Sequence, residues 1–279
     1  MPAITEKEAK GSVARLYRDI RLTLGVPVVN LIWRHLATIP GALEWCWASL
    51  KPVYESNAVV NEASFVRYRV FPNCDEKFPS FCLRAVGLSG TDVNSIQFVL
   101  NSYHRSNALN LVALSSLLAK LKDSGQLNNR GKLCDPSVDY DLIISGSPVV
   151  GHMPPLIPVQ EMSPDVLELV QSINRIGKRD TILPSMYRHL ANWPSFLALV
   201  YLVLLDLEKN GTLDRNINLS LDLARTAGNR ISNIIPDDIP TMTDETLERS
   251  KVAMERFING PIGKMTAIVP LIINYMDTS

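Results

Sequence analysis

One short string constrains this chain more than anything else in it. Residues 33–40 read WRHLATIP and residues 187–194 read YRHLANWP, in register at an offset of 154. Arg, His, Leu, Ala and Pro recur at the same places, and Trp33 matches Tyr187. The likeness continues past the proline, where Leu43, Trp47 and Leu50 fall on Leu197, Tyr201 and Leu204. Those positions share one helical face, so each copy carries a proline-started helix with the same buried stripe. A weaker echo sets the segment opening at Asn107 beside the one opening at Asn259. Two copies of one helical unit predict an all-α fold of two tandem pseudo-symmetric helical domains, with a cavity at their interface.

The rest of the chain agrees with that expectation. Thr5-x-x-Glu8 is a capping box ahead of a helix that sets Ala9, Val13, Leu16, Ile20 and Leu24 on one face. Pro40 opens a helix that Pro52 should kink or shorten. Thr91 precedes a helix to about Tyr103, and Asn107 starts or caps another, with Leu111, Leu114, Leu117, Leu118 and Leu121 as its apolar positions and Gly125 as its stop. Between Gly125 and Asp165 lie six of the 18 prolines and no helical period, the texture of an inter-domain linker. Ser163-Pro164 caps the next helix, and helices are expected over 164–176, 183–191, 194–210, 213–232, 243–259 and 261–276, with Thr241-x-x-Asp244 as a second capping box. Only Phe65–Val70 and Tyr140–Ile144 carry a strand signal. The expected division is residues 1–124, a Pro-rich linker over 125–163, and residues 164–279.

Composition removes several classes of function. Lys+Arg and Asp+Glu are both 28, so the chain has no electrostatic footprint for nucleic acid or an anionic membrane surface. The longest apolar run, Phe196–Leu205, is about half of the roughly 20 residues a bilayer requires, and reads as a buried helix. Met1-Pro-Ala-Ile-Thr-Glu-Lys-Glu carries charges where a secretory signal would be apolar, so the chain reads as cytoplasmic. Cys46, Cys74, Cys82 and Cys134 form no C-x-x-C pair and read as reduced thiols. P-loop, GxGxxG, GxSxG and HExxH motifs are absent. A small-molecule substrate or ligand is the expected partner, and nothing in the sequence sets an oligomeric state.

RLTLGVPVVNLIWRHLATIP (21–40), the segment beginning at Asn107, LANWP (190–194) and MERFI (254–258) together resemble the DehI-type group I 2-haloacid dehalogenases. The resemblance covers most of the chain, including the duplication and the linker. It implies an all-helical pseudo-dimeric monomer that hydrolyses 2-haloalkanoic acids without a metal or organic cofactor. An aspartate would activate water to displace halide at C2 with inversion, and an asparagine would help hold that water. The asparagine falls on Asn107 and the preceding serine on Ser185, but the aspartate, four residues before the Leu of LANWP, falls on Met186. The family's aromatic pocket positions fall on Val28 and Leu31, and a tyrosine position falls on Met254.

Methionine cannot act as a general base, so the site needs another acid or another chemistry. The nearest upstream carboxylate is Asp180, in the triplet Lys178-Arg179-Asp180, where Arg179 would clamp a substrate carboxylate or else face solvent. Asn107 is explained equally as a site residue and as a helix cap. His35 and His189 share one place in the two copies and His104 lies near Asn107, so the three would form a cluster across a pseudo-two-fold or, more simply, sit at helix ends. The tryptophans read as core. The first functional expectation is an enzyme acting on a small apolar or halogenated carboxylic acid, by hydrolytic dehalogenation if the family chemistry is kept. The alternative is a divergent member whose apolar inter-domain pocket binds a small molecule or catalyses a non-hydrolytic rearrangement or cyclisation.

Overall fold

The computed structural model describes residues 1–72, 76–122, 152–238 and 242–276. Among these residues the α-helices in chain order are α1 (Gly11–Leu24), α2 (Leu31–Leu36), α3 (Ala42–Glu55), α4 (Asn57–Val70), α5 (Ser80–Ala85) and α6 (Gly90–Lys122). They continue as α7 (Pro164–Arg175), α8 (Ser185–Leu190), α9 (Pro194–Lys209), α10 (Thr212–Ile231), α11 (Asp244–Phe257) and α12 (Gly263–Met276). No strand occurs among the described residues, and no helix there is long and apolar enough to cross a membrane. The fold is all-α.

The two matched motifs fold alike. Each makes a short helix, a tight turn and a longer helix: α2 into α3, and α8 into α9. The same hydrogen bonds close both turns. Ala37 and Ala191 amides donate to the Trp33 and Tyr187 carbonyls at 3.1 and 2.9 Å, and Ile39 and Trp193 amides to the Leu36 and Leu190 carbonyls at 3.0 and 2.9 Å. Trp33, Trp47 and Trp193 pack with their indole N–H groups hydrogen-bonded. Trp33 is fully buried, crosses Trp47 edge-on, and donates to Asn110 Oδ1 at 2.9 Å, while Trp193 donates to Asp92 at 2.8 Å.

Several local expectations are corrected. The segments on either side of Tyr103–Asn107 are one 33-residue helix, α6, so Asn107 is a mid-helix residue and caps nothing. Phe65–Val70 is the end of α4, not a strand. The Thr5–Glu8 box forms, with Thr5 N donating to Glu8 at 2.9 Å, but it closes a lone turn and α1 begins only at Gly11. Pro52 lies inside α3, which ends four residues later at an extended Ser56. Ser163 caps α7 with Pro164 in its first turn. For α11 the cap is Thr243, whose Oγ1 accepts from the Thr246 amide at 3.2 Å; Thr241 lies outside the described residues. Tyr140–Ile144, Gly125, Cys74, Cys134 and residues 125–151 of the expected linker also lie outside them. The last part of the linker packs down, with Met153, Ile157 and Met162 against the core.

Two apolar cores form, and they are not divided at the linker. The first joins α1, α2 and α3 to α4, the C-terminal half of α6 (Ala108 to Leu117), the end of α10 (Ala224, Ala227, Ile231) and α11. The second joins the N-terminal half of α6 (Ile96, Val99, Leu100, Tyr103) to α7, α8, α9, the start of α10 (Leu213, Ile217) and α12. Helices α6 and α10 therefore run through both cores, and a cut between residues 124 and 164 would split each. Leu213, Ile217, Ser220, Ala224, Ala227 and Ile231 recur at three and four residues along α10, which fixes its buried face. Gly228 on that face lets α10 meet α6 at backbone distance: a Cβ there would lie 2.7 Å from the Ser115 carbonyl carbon and 2.8 Å from the Ser116 nitrogen.

Candidate functional site

A pocket opens where the two cores meet, with about 350 Å³ of atom-free space including its mouth. Its walls are Asn30, Leu31 and Ile32 at the start of α2; Tyr103 and Asn107 one helical turn apart on α6; and Pro184, Ser185 and Met186 at the start of α8. Phe257, Pro261, Ile262 and Met265 complete it from the junction of α11 and α12. Ile32, Phe257 and Ile262 belong to the first core, whereas Tyr103, Met186 and Met265 belong to the second. The junction is a π-helical turn over Ile258–Ile262, where Pro261 lacks an amide hydrogen and Gly260 leaves helical geometry at φ −103°, ψ −113°. That break turns the chain so that both sides of it face the pocket.

The lining is mostly apolar and holds no carboxylate, imidazole or cationic side chain. Its polar members are Asn30, Asn107, Ser185 and Tyr103. Asn30 Nδ2 donates to Ser106 Oγ at 3.0 Å, while its Oδ1, like the Nδ2 of Asn107, is buried with no hydrogen-bond partner among the described residues. Unmet buried donors and acceptors of this kind are uncommon and costly.

Behind Ser185 and Tyr103 lies a chain of hydrogen bonds that joins the two copies of the repeated motif. Arg34 Nη2 donates to Ser185 Oγ at 2.6 Å, Ser185 bonds the Tyr103 hydroxyl, and Tyr103 Oη shares a hydrogen bond with His189 Nδ1 at 2.9 Å. Burial raises the Tyr103 pKa above its ordinary value, although Arg34 and Ser185 pull the other way. Burial, helped by the charges of Arg34 and Arg188, pushes His189 down to about 4. His189 is therefore neutral near pH 7.

Of the residues singled out in the sequence, Leu31, Asn107, Ser185 and Met186 line this pocket. Met186 is fully buried there. Val28 and Met254 are buried in the second and first cores and are not among the lining residues. Asp180 and Arg179 lie elsewhere. Asp180 is exposed, its backbone carbonyl accepts from Asn174 Nδ2 at 3.0 Å, and its carboxylate is a charge neighbour of the buried Lys264. Arg179 donates to Asn218 at 3.2 Å and lies 3.9 Å from Asp214. The physical reason is the chain path: buried Ile182 and then Pro184 lead into α8, so the triplet stays on the outer loop.

The histidines do not assemble either. His35 Nδ1 meets the Pro2 carbonyl at 2.8 Å and its ring stacks on Phe257; His104 is buried beside Phe71 with neither ring nitrogen partnered among the described residues; His189 is held by Tyr103. No group of three His, Cys, Asp or Glu side chains among the described residues is placed to hold a metal ion. Sequence reasoning passed over Arg34, Tyr103 and Asn30. For Arg34 the signal was present, because Arg recurs beside His in both copies of the motif.

Comparisons with known proteins find relatives that share the all-α fold. A configuration-inverting 2-haloacid dehalogenase of Alcaligenes xylosoxydans xylosoxydans is 27% identical over 210 residues, covering 71% of this chain and 66% of that enzyme, just under two thirds of its length. An (R)-2-haloacid dehalogenase of Pseudomonas putida is 34% identical over 55 residues, 20% of this chain and 18% of that one. A D-2-haloacid dehalogenase mutant solved in complex with D-2-CPA superposes with a TM-score of 0.71 at 15% identity, covering 98% of this chain and 94% of that one. A further D-2-haloacid dehalogenase mutant structure gives 0.69 at 17%, with 98% and 93% covered. No protein-family model matches the chain. The chain is related to the DehI-type, configuration-inverting 2-haloacid dehalogenases and has their all-α fold.

Proposed function

We propose that this dehalogenase-like protein takes a small, apolar or halogenated carboxylic acid into the pocket between its two cores, and that it does not hydrolyse the acid through a carboxylate-activated water. One observation carries the second half: among the lining side chains there is no Asp, Glu or His, and Met186 fills the place where the family resemblance sets the aspartate. A water in this pocket would find donors in Asn107 and Ser185 but no group to take its proton, and general-base assistance is worth about 10²–10⁴ in rate. The apolar walls of Leu31, Met186 and Phe257 suit an alkyl or haloalkyl chain, and the polar wall of Ser185 and Tyr103 suits the acid group. The lack of a carboxylate in the lining favours binding or a non-hydrolytic rearrangement over hydrolysis.

Calorimetric titration with racemic 2-chloropropionate, with chloride measured in the same samples, tests this reading. Saturable binding without chloride above buffer is expected. Multiple-turnover chloride release would contradict it, and release abolished by Asp180→Asn would return the outer-loop acid to the reaction.

A further inference from the structure

Arginine occupies the same place in both copies of the repeated motif, as Arg34 in WRHL and Arg188 in YRHL. Arg188 lies within the field of Arg34, which stands behind the pocket-lining Ser185. Arg34 is 5% exposed, and its guanidinium forms no ion pair with a carboxylate among the described residues. Its Nη2 is spent on Ser185 Oγ at 2.6 Å, and its Nε is buried with no partner there. Arg188 is half-buried and gives its Nε to the Ile157 carbonyl at 2.9 Å, again without a carboxylate. Glu6 acts on Tyr103 beside this cluster, but its carboxylate is taken by Arg21 and by the Val29 amide at 2.9 Å.

Other buried charges in this molecule are treated differently. Arg230 pairs with Glu62, and Lys264 gives its ammonium to the Asn174 carbonyl at 2.6 Å with Asp180 and Glu208 nearby. A buried guanidinium without a counter-charge is a costly arrangement that an anion relieves. The route to that anion is through Ser185. Ser185 Oγ accepts from Arg34, which leaves the Ser185 O–H to donate either to Tyr103 or to an anion, and Ser185 lines the pocket.

We infer that Arg34, acting through Ser185 and reinforced by Arg188, is the positioning residue of a carboxylate subsite on the polar wall of this pocket. The inference rests on the proposal that the pocket takes a small organic acid, and it assigns the group that recognises the acid's charge. The carboxylate accepts from the Ser185 hydroxyl, and Arg34 holds that hydroxyl in its donating orientation while supplying the opposite charge behind it. The alkyl or haloalkyl end is then directed to Leu31, Met186 and Phe257.

The test compares racemic 2-chloropropionate with its neutral isostere 2-chloropropionamide, by calorimetry, on the intact wild-type chain and on Arg34→Met, Arg34→Lys and Arg188→Met. The wild type is expected to prefer the acid by about tenfold or more. Arg34→Met should remove that preference while leaving amide affinity within about twofold, Arg34→Lys should restore most of it, and Arg188→Met should weaken it by a smaller factor because Arg188 is half exposed. A purely structural role for Arg34 would lower both affinities together, and that result overturns the inference, as does an Arg34→Met protein that still prefers the acid. If the wild type binds acid and amide equally, the subsite is refuted while the pocket stands. If it binds neither, the reading of the pocket fails and this inference with it.

Discussion

Met186→Asp is expected to gain chloride release from racemic 2-chloropropionate by about 10²-fold or more over the wild type, the scale of a positioned general base. Position 186 lines the pocket together with Ser185 and Asn107, whose unpartnered Nδ2 is a donor for the water that a carboxylate would activate. Burying the new carboxylate raises its pKa and costs stability, and the nearby Arg34 offsets part of that through Ser185. Met186→Asn is the matched control, with similar shape and no base, and should release no chloride. Circular dichroism and thermal unfolding establish that both variants are folded. A folded Met186→Asp protein that binds the acid and still releases nothing would show that this side chain does not face the reacting carbon as the family resemblance implies.

The second large effect is on stability. Glu62 on α4 and Arg230 on α10 form a two-point ion pair, with Arg230 Nε on Glu62 Oε1 at 2.9 Å and Nη2 on Oε2. Their side chains are 1% and 8% exposed, so solvent screens little of the interaction. Glu62→Ala leaves a buried guanidinium without its partner and should cost about 3–5 kcal/mol. For a chain of this size that is a fall in Tm of roughly 10 °C. The double replacement Glu62→Leu with Arg230→Met removes both charges, and should recover most of the loss because an apolar pair avoids the desolvation penalty. Chemical unfolding followed by tryptophan emission reports on it directly, since Trp33, Trp45 and Trp47 belong to the core that this pair braces. A loss below about 1 kcal/mol for Glu62→Ala, the scale of an exposed pair, would mean that the contact is effectively solvated.

Much of this architecture is legible in the amino acids. Helical spacing locates most elements to within a few residues, and the matched strings at 33–40 and 187–194 do form the same helix, turn and helix. The failures have one cause, which is tertiary contact overriding a local signal. Asn101, Ser102, His104, Ser106 and Asn107 look like a break, yet α6 runs straight through them. Ser102 turns its hydroxyl back to the Phe98 carbonyl at 2.8 Å, and Ser106 is met by Asn30, so these two serines find partners without ending the helix. In the same way Phe65–Val70 alternates like a strand, but its buried Val66, Arg67 and Val70 are spaced for one face of a helix that packs on α6 and α10.

The site was partly legible for a related reason. Leu31, Asn107, Ser185 and Met186 come from three separate helices, and only the family resemblance joins them in the sequence. Proximity along the chain points to Asp180 as a substitute base, but six residues of loop that pass through buried Ile182 carry it to the surface. Arg34 was visible in the duplicated motif, while its lack of a counter-charge is a property of the folded state that no spacing announces.

A crystal structure of the wild-type protein soaked with racemic 2-chloropropionate bears most directly on what this pocket does. The expected result is one intact acid between Leu31, Met186 and Phe257, its carbon–chlorine bond unbroken. Lactate in the same place with free chloride in the drop, or the acid bound only on the outer surface while the pocket stays closed to it, would contradict that expectation.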